Sequence, residues 1–310
     1  MRFAFVLDPL EHLKPYKDSS IAMMREAARR GHEVHSLEAP ALYVDGARVM
    51  ARVKRLAMTE GDSGWFRIEG ESDQPLASFD CVMMRKDPPF DQEFYYATLL
   101  LERAQAEGVR VVNDPRALRD WNEKLAILRF PALAPPTLVA AEMDRLQSFI
   151  DQHGDVIVKK LDGMGGTMIF RVKADDANRN VIVETMTDSG QRTVMAQRFV
   201  PEIAQGDKRV LVVDGKAFPH MLARIPKAGE TRGNLAAGAT GVVRALGVRE
   251  REIAQTVGAE LVKAGIVFAG LDVIGDWLTE VNVTSPTGIV EIAKQTGEDA
   301  ARVLLDALGA

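Results

Sequence analysis

Val156-Ile157-Val158-Lys159-Lys160-Leu161-Asp162-Gly163-Met164-Gly165-Gly166-Thr167-Met168-Ile169-Phe170-Arg171-Val172 is the stretch whose reading decides the fold. Two runs rich in β-branched residues flank a turn holding Gly163, Gly165 and Gly166, which reads as strand, loop, strand. A loop without Cβ atoms takes positive φ and approaches a ligand closely, and its successive N–H groups form a concavity suited to phosphate. Lys159, ending the first run, would meet the same anion as a point charge. Taken alone, the stretch is equally a plain glycine-rich hairpin turn. It carries no Walker signature, and no G-x-G-x-x-G opens a helix here.

The 310 residues predict two or three domains with ample apolar content for a core. A net charge of −5 argues against a nucleic-acid binder, while local basic clusters at Lys208-Arg209 and from Arg224 to Arg232 suit a small acidic ligand. The single cysteine, Cys81, excludes an intramolecular disulfide and any multi-cysteine zinc site, and its apolar strand favours a buried small hydrophobe. The chain opens on a strand pattern, Arg2 to Leu7, and no apolar run approaches a membrane span of ~20 residues. A soluble cytoplasmic protein is expected.

Outward from the glycine loop, the pattern divides into three segments, 1–122, 123–199 and 200–310. In the first, strands alternate with helices at 18–30 and 91–107, a pattern of a parallel α/β sheet with ligands beyond the strands' carboxyl ends. A charged β excursion from Tyr43 to Glu71 interrupts it, and Pro115 is expected to open a helix holding Trp121, Glu123 and Lys124. The second segment holds a helix near Asp144–His153, the glycine hairpin and a strand near Thr193–Gln197. In the third, Asp214-Gly215 turns a hairpin. Arg224 to Gly241, glycine-rich and basic, then reads as a mobile ligand-covering loop, with a surface loop as the alternative. Helices at Glu250–Lys263 and Glu298–Leu308 close the chain.

The sharpest constellation is Leu271-Asp272-Val273-Ile274-Gly275-Asp276-Trp277-Leu278-Thr279-Glu280-Val281-Asn282-Val283, a hairpin turning at Gly275-Asp276. Glu280 and Asn282, two apart on a strand, share a face, and their oxygens among apolar neighbours suit a hard cation such as Mg²⁺. A regular two-residue turn would pair Asp272 with Thr279 and remove it from that face. A bulged or odd-numbered connection would pair Asp272 with Glu280. A metal held by all three therefore requires the bulge.

Together these pieces resemble the ATP-grasp superfamily. More specifically, Val82–Asp91, Leu161–Gly166, Gly206–Leu211, Glu230–Leu235 and Thr279–Thr287, in this order, are closely similar to the bacterial glutathione synthetases. The resemblance covers the full length. Lys160 stands where that family usually has proline, and Thr167 where alanine is common. It implies an α/β fold, α+β in part, with an N-terminal parallel α/β domain and two ATP-grasp subdomains that hold ATP between them. It implies ATP-dependent ligation of γ-glutamylcysteine to glycine in a homo-oligomer, a homotetramer. By position, Lys124, Lys159, Asp162, Gly163, Met164, Gly165, Gly166, Gln197, Phe199, Val200 and Asp207 would bind ATP. Asp272, Glu280 and Asn282 would hold Mg²⁺ or Mn²⁺. Arg209, Arg224, Arg232 and Lys159 would serve catalysis, with Arg209, Arg224, Arg232, Asn234, Ser285, Pro286 and Thr287 facing the substrate. Ser19, Ser20 and Arg85 would reach the dipeptide's N-terminal part. Other readings are a D-alanine–D-alanine or glutamate-adding ligase and a non-catalytic nucleotide-binding regulator.

Overall fold

The structure, a computed structural model, describes residues Met1–Ala310, with Ala236 described by its backbone alone. Three sheets follow one another along the chain. The first is built on β1 (Arg2–Leu7), which pairs in parallel with β2 (Glu33–Glu38) on one side and, on the other, with β6 (Cys81–Met84), itself parallel to β7 (Arg110–Val112). The charged excursion becomes β3 (Leu42–Asp45), β4 (Arg48–Met58) and β5 (Phe66–Pro75), antiparallel additions at one edge. α1 (Ser19–Arg29) starts where the Asp18 carboxylate accepts from the Ser20 and Ile21 N–H groups, at 2.7 and 2.9 Å. Its buried Ile21, Met24 and Ala27 recur at helical spacing. α2 (Gln92–Ala106) is capped the same way by Asp91. Cys81 lies fully buried, and burial pushes its thiol up to about 12, as befits a core hydrophobe.

The expected helix through Lys124 stops early. α3 (Pro115–Asp120) ends at Trp121, and Asn122 Oδ1 accepts from the Lys124 and Leu125 N–H groups, opening a separate 3-10 turn, Leu125–Arg129. Glu123 is thereby turned towards the third sheet, and Lys124 towards the glycine loop and Glu280.

The second sheet is antiparallel, in the order β10 (Ile169–Lys173), β9 (Asp155–Lys160), β11 (Val194–Arg198), β8 (Thr137–Ala140). Two helices cover one face, α4 (Met143–His153) and α5 (Arg179–Thr187), burying Leu146, Ile150, Val183 and Met186 against Val156, Val158 and Val194. The third is antiparallel too, in the order β14 (Thr240–Ala245), β13 (Lys216–Ile225), β12 (Asp207–Val213), β15 (Phe268–Ile274), β16 (Trp277–Asn282). α6 (Val248–Lys263) packs so tightly on the β12–β13 turn that a Cβ on Gly258 would lie 2.2 Å from the Gly215 carbonyl oxygen. α7 (Ile289–Thr296) and α8 (Ala300–Leu308) are separate helices, divided at Gly297, where φ is +76°. α8 lies on α1 in one apolar cluster, and Arg30 binds the carbonyl oxygens of Arg302 and Ala310. Among the described residues no helix is long and apolar enough to cross a membrane.

Candidate active site

A cavity of about 840 Å³ opens between the second and third sheets. Its mouth is the loop after β9, where Gly165 and Gly166 take φ of +61° and +84°, as only glycine does readily. Across from it, the β13–β14 connection, 226–239, lies over the loop. Arg232 Nη1 donates to the Gly166 carbonyl at 3.4 Å, and a Cβ on Gly166 would sit 2.7 Å from Asn234 Oδ1. Arg224 is not on this connection but within β13, its guanidinium buried.

Deeper in, the β15–β16 hairpin has a two-residue turn, with Ile274 paired to Trp277 and Val273 to Leu278. The register then shifts, Thr279 is left as the extra residue, and Asp272 pairs with Glu280. The bulge that a three-donor metal site requires is thus present, two pairs beyond the turn. Thr279 Oγ1 donates to the Asp272 carbonyl at 3.1 Å, bracing the distortion.

Each acid of that pair sits between two cations. Glu280 Oε1 lies 3.8 Å from Lys124 Nζ and 3.4 Å from Lys159 Nζ. Burial raises the Glu280 carboxyl, yet the two ammonium groups outweigh it and hold it below the usual range. Burial lowers Lys159 in turn. Lys124 also donates to the Gly163 carbonyl at 2.5 Å and Lys159 to that of Thr279 at 3.3 Å, so both reach across from the glycine-loop side. Asp272 accepts from Arg209 Nε and Nη2 at 2.6 and 3.1 Å, and from Arg224 Nη2 at 3.0 Å. Burial again opposes ionisation, and the paired guanidiniums overcome it.

The donor set fits a hard cation in chemistry: two ionised carboxylates and the Asn282 amide, whose Nδ2 is bound to the Gly270 carbonyl at 3.1 Å, leaving Oδ1 as its acceptor. Asp272 is the donor whose oxygens are already most engaged. Among the described residues no three of His, Cys, Asp and Glu converge into a metal cage, so the set depends on that asparagine.

Asp207 shares Arg224 with Asp272, at 2.5 Å from Nη2. Burial pushes its carboxyl up to about 7 despite that partner, and its Oδ1 has no hydrogen bond. Between the ordinary 3.8 and about 7 the folded chain then holds one proton more than the unfolded chain. This group's contribution to stability is full below the lower value and is lost as pH rises through the upper one. Asp207→Asn is expected to flatten that part of the stability–pH curve, read from unfolding midpoints between about pH 4 and 8. An unchanged curve would show Asp207 ionised throughout.

The expected site residues separate by place. Lys124, Lys159, Gly163, Met164, Gly165, Gly166, Gln197, Phe199, Val200, Asp207, Arg232, Asn234, Asp272 and Glu280 line the first cavity. Arg209, Arg224, Asn282, Ser285, Pro286 and Thr287 line an adjoining one of about 1360 Å³, shared by Lys124, Asn234, Asp272 and Glu280. Asp162 faces neither and borders a small hollow beside Trp121. Ser19, Ser20 and Arg85 also fall outside both. Arg85 is buried behind the wall, bonded to Ser20 Oγ and the Pro286 carbonyl, both at 3.0 Å, while Ser19 Oγ accepts from the Ile289 N–H at 3.3 Å. They brace the segment after Asn282. Asp87, at the carboxyl end of β6 where a ligand cleft is expected, lines the second cavity and holds Ser285 Oγ, while the role of Glu123, bonded to Val281, Val283 and Thr284, has no local signal because these partners lie about 160 residues away.

Comparison with known proteins identifies the family. The family model for the prokaryotic glutathione synthetase ATP-grasp domain matches residues 123–297, and that for the N-terminal domain matches residues 1–119. Proteins named glutathione synthetase are 52% identical in Nitrosomonas europaea, over 99% of this chain and 97% of that one. In Vibrio parahaemolyticus the figures are 50%, 99% and 98%. Among solved structures, the D-cycloserine synthetase DcsG superposes with a TM-score of 0.68 at 16% identity, covering 99% of this chain and 98% of its own. The ATP-grasp ligase PsnB with a minimal precursor gives 0.64 at 18%, covering 99% and 97%, and at such identities the likeness shows the fold alone. With both family models matched and a relative 52% identical over 99% of its length, the chain belongs to the prokaryotic glutathione synthetase family.

Proposed function

We propose that this chain is a cytoplasmic ATP-dependent ligase that joins γ-glutamylcysteine to glycine, releasing glutathione, ADP and phosphate. The observation that carries the reading is the arrangement around Glu280 and Asp272: two lysines on the glycine-loop side, two arginines on the other, at the junction of two cavities. The family uses ATP and a divalent metal. In this reading the adenine lies in the apolar end formed by Ile157, Phe199, Val200 and Ile274, beside Gln197. Lys124 and Lys159 hold the phosphates beneath Gly163–Gly166. Asp272, Glu280 and Asn282 would hold the metal, Mg²⁺ by the hardness of its oxygen donors, with Mn²⁺ as a substitute. When bound, it supplies neutralising charge on the phosphates.

A carboxylate is a poor electrophile, so the dipeptide's carboxylate first takes the γ-phosphoryl group and becomes an acyl phosphate. The glycine amine then attacks that carbon, and phosphate leaves the tetrahedral adduct. Little covalent work falls to the protein. Arg209 and Arg224, fixed by Asp272, stabilise charge on the transferring group and acceptor, while Ser285, Pro286 and Thr287 hold the acceptor. Arg232 and Asn234, on the connection over the glycine loop, shield the acyl phosphate from water.

The test is ADP release from ATP with matched acid–amine pairs. Release with γ-glutamylcysteine and glycine alone supports the reading. Release only with D-alanine or with glutamate as added amine assigns another ligase, and nucleotide binding without release for any pair assigns a regulator. The domain bounds 1–122, 123–199 and 200–310 are supported by sheets confined to residues 2–112, 137–198 and 207–282. A homotetramer, which the family resemblance favours, would be read by light scattering.

A further inference from the structure

We propose that Glu123 is a positioning residue that holds the metal-ligand strand and the phosphate-facing Lys124 at a fixed separation; this rests on the ligase reading above. β16 pairs with β15 on one side only, so its other edge needs partners. The Leu133 carbonyl takes the Leu278 N–H at 2.8 Å, and Glu123 supplies the partners beyond Glu280. Its main-chain carbonyl accepts from the Val281 N–H at 2.9 Å. Its Oε1 accepts from the Val283 N–H at 3.0 Å, the Thr284 N–H at 3.1 Å and Thr284 Oγ1 at 2.8 Å.

The geometry of a strand makes this grip specific. The N–H groups of 281 and 283 point to one edge, while the side chains of 280 and 282 stand together on one face. One residue therefore holds the backbone on both sides of Asn282 and immediately after Glu280. The next residue along is Lys124, whose Nζ reaches the Gly163 carbonyl and Glu280. Nothing intervenes between the group that meets the phosphates and the group that registers the ligands. No hydrogen bond joins the Glu123 carboxylate to Glu280 or Asn282, so it acts through the strand. A single oxygen accepting three donors is a task an anionic oxygen does well, and an amide oxygen of the same shape does it more weakly.

The test uses the full chain with a non-hydrolysable ATP analogue, titrating Mn²⁺ and reading free Mn²⁺ by electron paramagnetic resonance. ADP release and thermal unfolding are followed in parallel. Glu123→Ala is expected to raise the half-saturating Mn²⁺ by about 10–100-fold, the usual effect of losing a group that orients a ligand. Glu123→Gln should stay within about threefold, since its amide oxygen keeps the acceptor position. Thr284→Val, which removes one donor of three, should fall between them. A folded Glu123→Ala chain with unaltered Mn²⁺ affinity, whatever its melting temperature, would reduce Glu123 to a strand-end brace and overturn the proposal. So would a Gln variant as weak as the Ala variant, since charge and not geometry would then matter. If the Ala variant does not fold, unaltered Mn²⁺ affinity in Thr284→Val overturns it. Failure of the ligase reading looks different: the unsubstituted chain would bind metal and nucleotide yet release no ADP with dipeptide and glycine.

Discussion

Replacing Glu280 with glutamine is expected to lower turnover about 10²–10³-fold, with the melting temperature reduced by no more than a few degrees. The substitution keeps the side chain's volume and leaves a carbonyl oxygen for Lys124 and Lys159, which retain their bonds to the Gly163 and Thr279 carbonyls. What it removes is the negative charge that burial opposes and two ammonium groups sustain. That charge is the one a divalent cation needs most, because Asp272 is already shared by Arg209 and Arg224. ADP release measured across a Mg²⁺ titration, beside a thermal melt, separates the effects. Wild-type turnover at ordinary Mg²⁺ would take Glu280 out of the metal site.

The second large effect is on stability. Asn113, buried at the end of β7, bonds four backbone groups of the third sheet and its exit. Its Nδ2 donates to the Phe268 and Val283 carbonyls, both at 2.7 Å, and its Oδ1 accepts from the Val267 and Phe268 N–H groups, both at 2.9 Å. Asn113→Ala would leave all four without a protein partner, each costing about 1–3 kcal/mol when buried. A loss of about 4 kcal/mol or more is expected, read from the urea midpoint at unchanged slope. A loss under about 1 kcal/mol would mean that water replaces the amide and the junction of the two sheets does not depend on it.

Much of this was legible in the sequence because the signals are local. Asp18 and Asp91 announce their helices, Asp214-Gly215 its hairpin, and the glycines after Lys159 their loop. The β15–β16 bulge was legible for another reason: holding Asp272 and Glu280 on one face demands it. Other elements were hidden. α5 contains Val181-Ile182-Val183, a β-branched run with a strand's composition, and only packing of Val183 and Met186 on the second sheet makes it helical. β14 begins inside the stretch that reads as a loop, at Thr240 and Gly241, and continues where the sequence carries no strand signal, since its pairing partner β13 provides the reason to extend. The early end of α3 depends on Asn122 and on the pull of Glu123 towards residues 281–284. Ser19, Ser20 and Arg85 are substrate contacts only by the family resemblance, and their buried partners near Pro286 and Ile289 are too distant in sequence to be legible there.

The contact of α8 with α1 bears on how the protein is made. Arg30 and the Arg302 carbonyl that it binds are 272 residues apart, and the apolar side of α1 is covered by Leu304, Leu305 and Leu308. On the ribosome, where segments tend to fold in order of emergence, the opening sheet must wait with greasy surface bare until nearly all the rest has been translated. Chaperone capture during synthesis should therefore fall on the earliest residues to appear, and deleting α8 should expose a region that a linear map of the chain places at the opposite extreme.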